Sequence, residues 1–235
     1  MTERPRGAVQ RTADSFAVGP SHLSWDGHAL TIRVKEISVP IPGRLRGTIR
    51  LVPTAITRQA FMLNENGRHQ WWPIAPCARV QVALDHPQLR WQGDGYFDMN
   101  RGDAPLEQGF TDWQWSRGSL RSGSAVILYE ALCRNGSRTD LALTFDRQGG
   151  MVEFEAPPAA EMRRTGWRVA RSVRTEEAAH VVRTLEDAPF YARSVVATKL
   201  LGEPTIMMHE SLSLDRFRMP VVQAMLPFRM PRAWK

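Results

Sequence analysis

Residues 30–35 read Leu-Thr-Ile-Arg-Val-Lys, so that apolar and polar side chains alternate along the chain. Alternation of this kind puts one set of side chains on each face of a β-strand. The same pattern occurs at residues 45–51, 80–84, 141–145 and 206–214. Turn-forming pairs punctuate these runs: Pro42-Gly43, Asn66-Gly67, Asp94-Gly95, Asn135-Gly136 and Gly149-Gly150. Many short strands joined by turns predict an all-β fold of antiparallel strands, either a barrel or a sandwich.

Helical signals are confined to two segments. Residues 175–187 begin with a threonine and two glutamates, as a first helical turn often does, but Val181 and Val182 suit a strand as well. We leave both alternatives open there. The tail from Asp215 to Lys235 mixes arginines with apolar residues, and its three prolines prevent one long helix. This tail either binds a membrane interface or packs on the β-sheet.

Composition limits the class of protein. The chain has 235 residues, 43% of them hydrophobic, which is enough for one large or two small domains. No apolar run reaches the roughly 18 residues that a spanning helix needs, and the polar, basic residues 1–8 do not resemble a secretory signal. Cys77 and Cys133 stand far apart, which favours two reduced cytosolic thiols over a disulfide or a metal site.

The charge is strongly basic. The formal net charge is +7, and all but three of the 31 basic residues are arginines. A basic protein can bind nucleic acid or an anionic membrane surface. The arginines are scattered and no nucleic-acid-binding motif is present, so we expect no nucleic-acid partner and a peripheral contact with a membrane.

Chemistry-bearing residues concentrate between residues 64 and 117, which hold five of the eight tryptophans. On strands, residues two apart point to the same side. Three pairs of this spacing occur here, namely His69 with Trp71, Tyr96 with Asp98, and Trp113 with Trp115. Three strands could therefore direct an imidazole, a carboxyl, a phenol and several indoles into one cavity.

Such a cavity would suit a reaction that passes through a cation. Aromatic faces attract cations, a carboxylic acid in a dry pocket can stay protonated, and an imidazole can accept a proton from water. Together these groups can hydrate an alkene through a carbocation. The same side chains could also simply pack the core of a barrel, and the residues alone leave both interpretations open.

Long motifs in fixed order resemble the carotenoid 1,2-hydratase (hydroxyneurosporene synthase) family. They are Gly67-Arg68-His69-Gln70-Trp71-Trp72-Pro73-Ile74-Ala75-Pro76, Gly95-Tyr96-Phe97-Asp98, Trp113-Gln114-Trp115-Ser116-Arg117, Pro189-Phe190-Tyr191-Ala192-Arg193-Ser194 and His209-Glu210-Ser211-Leu212. The resemblance runs almost from end to end. It implies two tandem lipocalin-like (calycin-type) β domains. We expect residues 1–88 to be the remainder of an incomplete first domain and residues 89–235 to form the second.

The resemblance also implies an activity and a site. The family's catalytic set falls on His69, Trp71, Tyr96 and Asp98, where motif and spacing both agree. Further substrate-binding residues are expected at Trp91, Trp113, Trp115 and Tyr191. The implied reaction adds water across the terminal 1,2 double bond of acyclic carotenoids such as neurosporene and lycopene. We expect no cofactor and no metal, because hydration changes no net oxidation state. The expected location is the cytoplasmic side of the inner photosynthetic membrane of a bacterium.

Other functions remain open at this stage. A lipocalin-like barrel could carry a carotenoid or another apolar ligand without catalysis. The same fold could serve an isomerase, a cyclase or the hydratase of another terpenoid olefin. Binding to nucleic acid ranks third, and strong salt dependence would be its signature.

Overall fold

The computed structural model describes residues 4–38 and 41–229, with side chains up to residue 226. Contacts within the chain divide it into two compact units. Unit 1 consists of residues 1–56, 75–97 and 223–235, and unit 2 consists of residues 57–74 and 98–222. The expected domains at residues 1–88 and 89–235 stay a prediction.

Strands dominate the described residues. In chain order they are β1 (Val9–Arg11), β2 (Ser15–Val18), β3 (Ser21–Trp25), β4 (Leu30–Ser38), β5 (Gly43–Pro53), β6 (Phe61–Met62), β7 (His69–His86), β8 (Leu89–Gly102), β9 (Phe110–Ser119), β10 (Ala125–Cys133), β11 (Arg138–Phe145), β12 (Met151–Glu153), β13 (Ala159–Met162), β14 (Arg171–Arg174), β15 (His180–Asp187), β16 (Tyr191–Leu200) and β17 (Glu203–Ser213). The helices are a 3-10 turn (Arg6–Ala8), α1 (Leu106–Gly109), α2 (Leu214–Phe217) and α3 (Pro220–Arg229).

Unit 1 is built on an antiparallel sheet in which β1 to β5 follow one another and β7 lies beside β5. The register pairs Ile32 with Ile49, and Ile49 with Val82, so the alternating apolar residues of three strands share one face. Leu51, Ala75 and Ala78 form a buried cluster there, with partly buried apolar neighbours. The period-two pattern of the sequence is thus what forms the core of this unit.

Unit 2 is built on a seven-stranded antiparallel sheet in the order β12-β11-β10-β9-β17-β16-β15, and β13 and β14 form a separate two-stranded sheet. Its core includes Val126, Leu128 and Met207, which are fully or almost fully buried. The first residues of β7 belong to this unit and pair with β6, with Phe61 opposite Trp71. Neither Cys77 nor Cys133 forms a disulfide within the described part of the chain, and both side chains are buried.

The predicted all-β fold is confirmed, and each alternating run lies in a strand, except that Leu214 begins α2. Residues 175–187, left open between helix and strand, form a strand from His180 onward. One predicted turn is wrong, because Asp94-Gly95 lies inside β8. Gly95 is there for close packing, since a Cβ at this position would lie 3.2 Å from the Cβ of Val80.

The tail forms two short helices, α2 and α3, as its prolines predict. The side chain of Ser213 accepts a hydrogen bond from the Arg216 amide and so caps α2. Val221 is exposed and Val222 is buried, so the structure keeps both expectations for the tail open. Residues 230–235 lie outside the described residues. No helix in the described part of the chain is long and apolar enough to cross a membrane.

Candidate active site

The site begins at the start of β7, where His69 and Trp71 point to the same side of the strand and are both buried. The indole N–H of Trp71 donates a hydrogen bond of 2.8 Å to Oδ2 of Asp98 on β8. Asp98 is half-buried. The structure therefore brings three residues of the expected catalytic set together within unit 2.

Five aromatic side chains, which we call the aromatic circuit, surround this point. In order they are His69, Phe110, Trp113, Tyr129 and Trp71, with ring centroids 5.0, 6.4, 5.9 and 5.2 Å apart. The first and last members are two residues apart on β7, which closes the circuit. Ring faces carry negative charge density, so a ring face that no neighbouring edge covers can attract a cation.

Tyr129 is one of the two members of the circuit that sequence reasoning missed, and Phe110 is the other. Its ring lies between those of Trp71 and Trp113, and its hydroxyl donates a 3.2 Å hydrogen bond to Oδ1 of Asn100. Burial, together with the negative charges of Asp98 and Glu210, raises the pKa of Tyr129 well above its ordinary value. The phenol therefore stays neutral at physiological pH, where it can donate or accept a hydrogen bond or offer an aromatic face.

His69 is held by its backbone and by a narrow slot. The backbone N–H of His69 donates a hydrogen bond of 3.2 Å to Oδ1 of Asn64. A Cβ at Gly102 would overlap the imidazole, so a glycine is needed there, whereas a Cβ at Gly109 would touch the ring at 3.4 Å. Burial lowers the pKa of His69, which keeps the imidazole neutral near pH 7. Among the described residues, none makes a hydrogen bond to this ring.

One face of the seven-stranded sheet extends the aromatic surface. In the register, Trp115 lies opposite Tyr129 on one side and Glu210 on the other. Arg193 donates to Oε1 of Glu210 at 2.9 Å and to the hydroxyl of Tyr191 at 2.9 Å. The expected substrate-binding residues Trp113, Trp115 and Tyr191 thus share one face of the sheet.

Two expected site residues belong to unit 1. Tyr96 is half-buried and precedes Asp98 by two residues on β8, so the two side chains have the same parity on that strand. Trp91, near the start of the same strand, is 49% exposed. The roles assigned to both residues stay predictions.

The opposite face of the same sheet carries a buried polar network. His209 Nδ1 is 2.8 Å from the Ser116 hydroxyl, and its Nε2 is 3.1 Å from the Ser211 hydroxyl. Ser211 in turn donates to the side-chain oxygen of Gln114 at 2.6 Å. Burial, and next the charge of Arg171, lower the pKa of His209 to about 3. The His209-Glu210-Ser211 motif therefore contributes side chains to both faces of the sheet.

The missed residues lacked a distinguishing pattern. Tyr129 lies in the run Ala125–Leu132, where seven of eight residues are buried, so alternation does not separate a site face from a core face. Phe110 joins the circuit because the β9–β10 register shifts between Leu132 and Cys133, and no feature of the sequence signals this irregularity.

The fold resembles a known architecture. An AttH protein of lipocalin-like fold from Nitrosomonas europaea superposes with a TM-score of 0.58 at 13% identity, covering 89% of this chain and 72% of that one. At this identity the likeness concerns the fold alone. The class of protein is therefore an antiparallel, lipocalin-like β protein, as the sequence predicts.

Comparison of sequences gives the family. The family model described as carotenoid hydratase CrtC matches residues 1–235. Acyclic carotenoid 1,2-hydratases of Thiocapsa roseopersicina and Rubrivivax gelatinosus are 53% and 44% identical to the chain, each over 99% of its length. The corresponding protein of Rhodobacter capsulatus is 41% identical over 241 aligned residues. The chain belongs to the carotenoid hydratase family.

The relatives differ in how much of their length is matched. The chain covers 58% of the Thiocapsa and Rubrivivax proteins and 85% of the Rhodobacter protein. The motifs that carry the resemblance lie within the aligned part.

Proposed function

We propose that this protein is a hydratase that adds water across the terminal 1,2 double bond of an acyclic carotenoid, giving a 1-hydroxy carotenoid. The observation that carries the proposal is the carboxyl of Asp98, bound to the indole of Trp71 beside the aromatic circuit. Relatives in the same family bear the name acyclic carotenoid 1,2-hydratase.

Asp98 is the proposed acid. The indole of Trp71 donates to Oδ2, the better acceptor if that oxygen is the carbonyl oxygen, so the proposed scheme places the acidic proton on Oδ1. In the proposed first step this proton moves to carbon 2 of the terminal isopropylidene group. The electron pair of the double bond forms the new C–H bond, and carbon 1 becomes a tertiary cation.

The aromatic circuit stabilises the cation in this scheme. Trp71, Tyr129 and Trp113 offer ring faces, and each dry cation–π contact contributes about 0.5–2 kcal/mol. A few such contacts cannot make a carboxylic acid protonate an alkene without further help. Preorganised charge and exclusion of bulk water must supply the remainder. Tyr96, two residues before Asp98 on β8, is the fourth member of the proposed catalytic set.

His69 is the proposed base. A water molecule adds to carbon 1 through its oxygen, and the resulting oxonium loses a proton to the neutral imidazole. The lowered pKa of His69 is compatible with this role, because an oxonium is acidic enough to protonate a weak base. Transfer of that proton to solvent, and reprotonation of the Asp98 carboxylate, restore the starting state.

The substrate class follows from the same proposal. Neurosporene and lycopene carry the required end group, and only this end need reach the aromatic circuit. Trp115 and Tyr191 are proposed to contact the adjoining polyene. The chemistry needs no redox cofactor, since no net oxidation occurs. We place the protein on the cytoplasmic face of a bacterial photosynthetic membrane, where such substrates dissolve.

The test is expression of residues 1–235 in cells that accumulate lycopene or neurosporene, followed by chromatography and mass spectrometry of the pigments. A product heavier by one water supports the hydratase. Unchanged pigment, bound stoichiometrically to folded protein, would indicate a carrier instead. A product of unchanged mass but altered retention would indicate an isomerase or a cyclase.

A further inference from the structure

The net charge of the protein is confined to one unit. Unit 1 contains 13 of the 31 basic residues and 6 of the 24 acidic ones, so it carries the whole formal charge of +7. Unit 2 contains 18 of each kind and is neutral overall. The arginines that look scattered in the sequence are therefore unevenly placed in the structure.

Strand alternation collects much of this charge on one side of the unit 1 sheet. In the β4–β5 register, Lys35 lies opposite Arg46, and Thr31 lies opposite Arg50. The side chains on this side, which we call the basic face, include six exposed cations: Arg33, Lys35, Arg44, Arg46, Arg50 and Arg79. The other side holds the apolar core of the unit.

The cations at one end of the basic face are unneutralised. Within the described ranges, no carboxylate lies within 4.0 Å of Lys35, Arg44 or Arg46, whereas Arg79 pairs with Asp94 at 3.5 Å. Unpaired, exposed cations of this kind attract a negatively charged surface and are strongest at low ionic strength.

Large apolar side chains are exposed at that same end. Ile37 and Ile41, at the turn between β4 and β5, are 63% and 82% exposed. Leu89 and Trp91, after the turn between β7 and β8, are 45% and 49% exposed. Both turns lie at one end of the sheet, because Arg46 pairs with His86. We call these four residues the apolar tip.

We propose that the basic face and the apolar tip together bind an anionic lipid membrane surface. The cations contact the lipid headgroups, and the apolar tip inserts into the interface, where tryptophan and aliphatic side chains are favoured. Nucleic acid would also attract the cations, but it offers no apolar phase for Ile37 and Ile41. The inference locates the membrane contact of the proposed function, yet it requires no hydratase activity.

The experiment is flotation of the 235-residue chain with carotenoid-free vesicles of phosphatidylcholine, with and without phosphatidylglycerol. We expect binding only to the anionic vesicles, weakening as salt is added. The variant K35Q/R44Q/R46Q should bind about a hundredfold more weakly, at about fivefold for each cation near the surface. The variant I37S/I41S should retain weak, salt-sensitive binding at low salt and lose it as salt is added.

The matched control is R147Q/R164Q/R183Q, which removes three exposed arginines from unit 2. It should bind like the wild type. Equal losses in both triple variants, or equal binding to neutral and anionic vesicles, would overturn the proposal. So would a triple variant of the basic face that binds normally, because the tail would then carry the contact. Displacement of the vesicles by duplex DNA at equal salt would favour a nucleic-acid partner instead. None of these outcomes depends on turnover.

Discussion

At the scale of single residues, the indole N–H of Trp71 donates to Oδ2 of Asp98, and Oδ1 is the oxygen proposed to carry the acidic proton. The variant Asp98→Asn keeps an acceptor for the indole and removes the acidic proton. We expect turnover to fall by at least about a hundredfold, the usual size of a general-acid contribution, while thermal unfolding is nearly unchanged. Pigment analysis and circular dichroism measure the two effects. Activity close to that of the wild type would remove Asp98 as the acid.

Trp71 has two proposed roles, as an aromatic face and as a hydrogen-bond donor. Trp71→Phe keeps a ring and removes the N–H, whereas Trp113→Phe makes the same change in volume at a circuit position that has no such bond to Asp98. We expect Trp71→Phe to lower kcat about tenfold more than Trp113→Phe does, as the loss of one hydrogen bond to a charged or reacting group predicts. Equal rates in the two variants would assign Trp71 only a packing role.

The positions of His69, Trp71 and Asp98 on strands could be predicted from two-residue spacing and from family motifs, whereas their catalytic roles stay a prediction. Tyr129 and Asn100 could not, since their contacts depend on how β8 approaches β10. The narrow space around the His69 imidazole could not be predicted from the sequence either. Gly102 and Gly109 look like ordinary turn residues until the position of the imidazole is known.

At the scale of elements, β17 serves two environments. Glu210 faces the aromatic side of the sheet, and His209 and Ser211 face the buried polar network. Sequence alternation predicted the strand, with Met208 and Leu212 on a core side and the residues between them on a solvent side. His209 lies on the side expected to face solvent, yet its imidazole is 0% exposed, so that side is covered as well.

The polar network predicts a pH dependence of stability. The pKa of His209 is about 3 in the folded chain and 6.5 for an ordinary histidine, so the unfolded state binds more protons between these values. Its contribution is complete above about pH 6.5 and is lost as the pH falls, at up to about 1.4 kcal/mol per pH unit. Urea unfolding at several pH values between about 7 and 5 measures this slope.

A variant isolates the contribution of His209. Burial raises the pKa of Asp112 to about 6. Just below this pH the folded state holds a proton that the unfolded state does not, so Asp112 changes stability with pH in the direction opposite to His209. The slope of the wild type alone therefore does not separate the two groups. His209→Gln should be less stable at neutral pH and flatter in its pH dependence. His180→Gln removes an exposed imidazole from the same sheet and should keep the wild-type slope. Identical slopes in all three proteins would contradict the assignment.

At the scale of the whole molecule, composition gave the amount of charge but not its placement. The basic face arises because β4 and β5 are paired so that Lys35 meets Arg46. A one-residue shift in that register would have moved these side chains to the other side of the sheet. All-β character, by contrast, follows from local alternation, and it was predictable without any knowledge of pairing.

The uneven charge predicts chromatographic behaviour. K35Q/R44Q/R46Q and R147Q/R164Q/R183Q each lower the formal charge from +7 to +4. Because a cation-exchange resin binds the most positive surface of a protein, the first variant should elute at clearly lower salt than the second. Elution of both variants at the same salt would mean that net charge alone governs binding and that the basic face is not a distinct patch.

Because the two faces of β17 lie in different environments, a change in the register of this strand would be costly, and this limits where the chain tolerates insertions. A residue added to the Leu200–Glu203 turn that slid β17 by one position would carry a carboxylate into the dry network and an imidazole onto the aromatic side. Both errors would occur at once, and no single substitution could repair them. Length variation among natural homologues should therefore be rare at the Leu200–Glu203 turn.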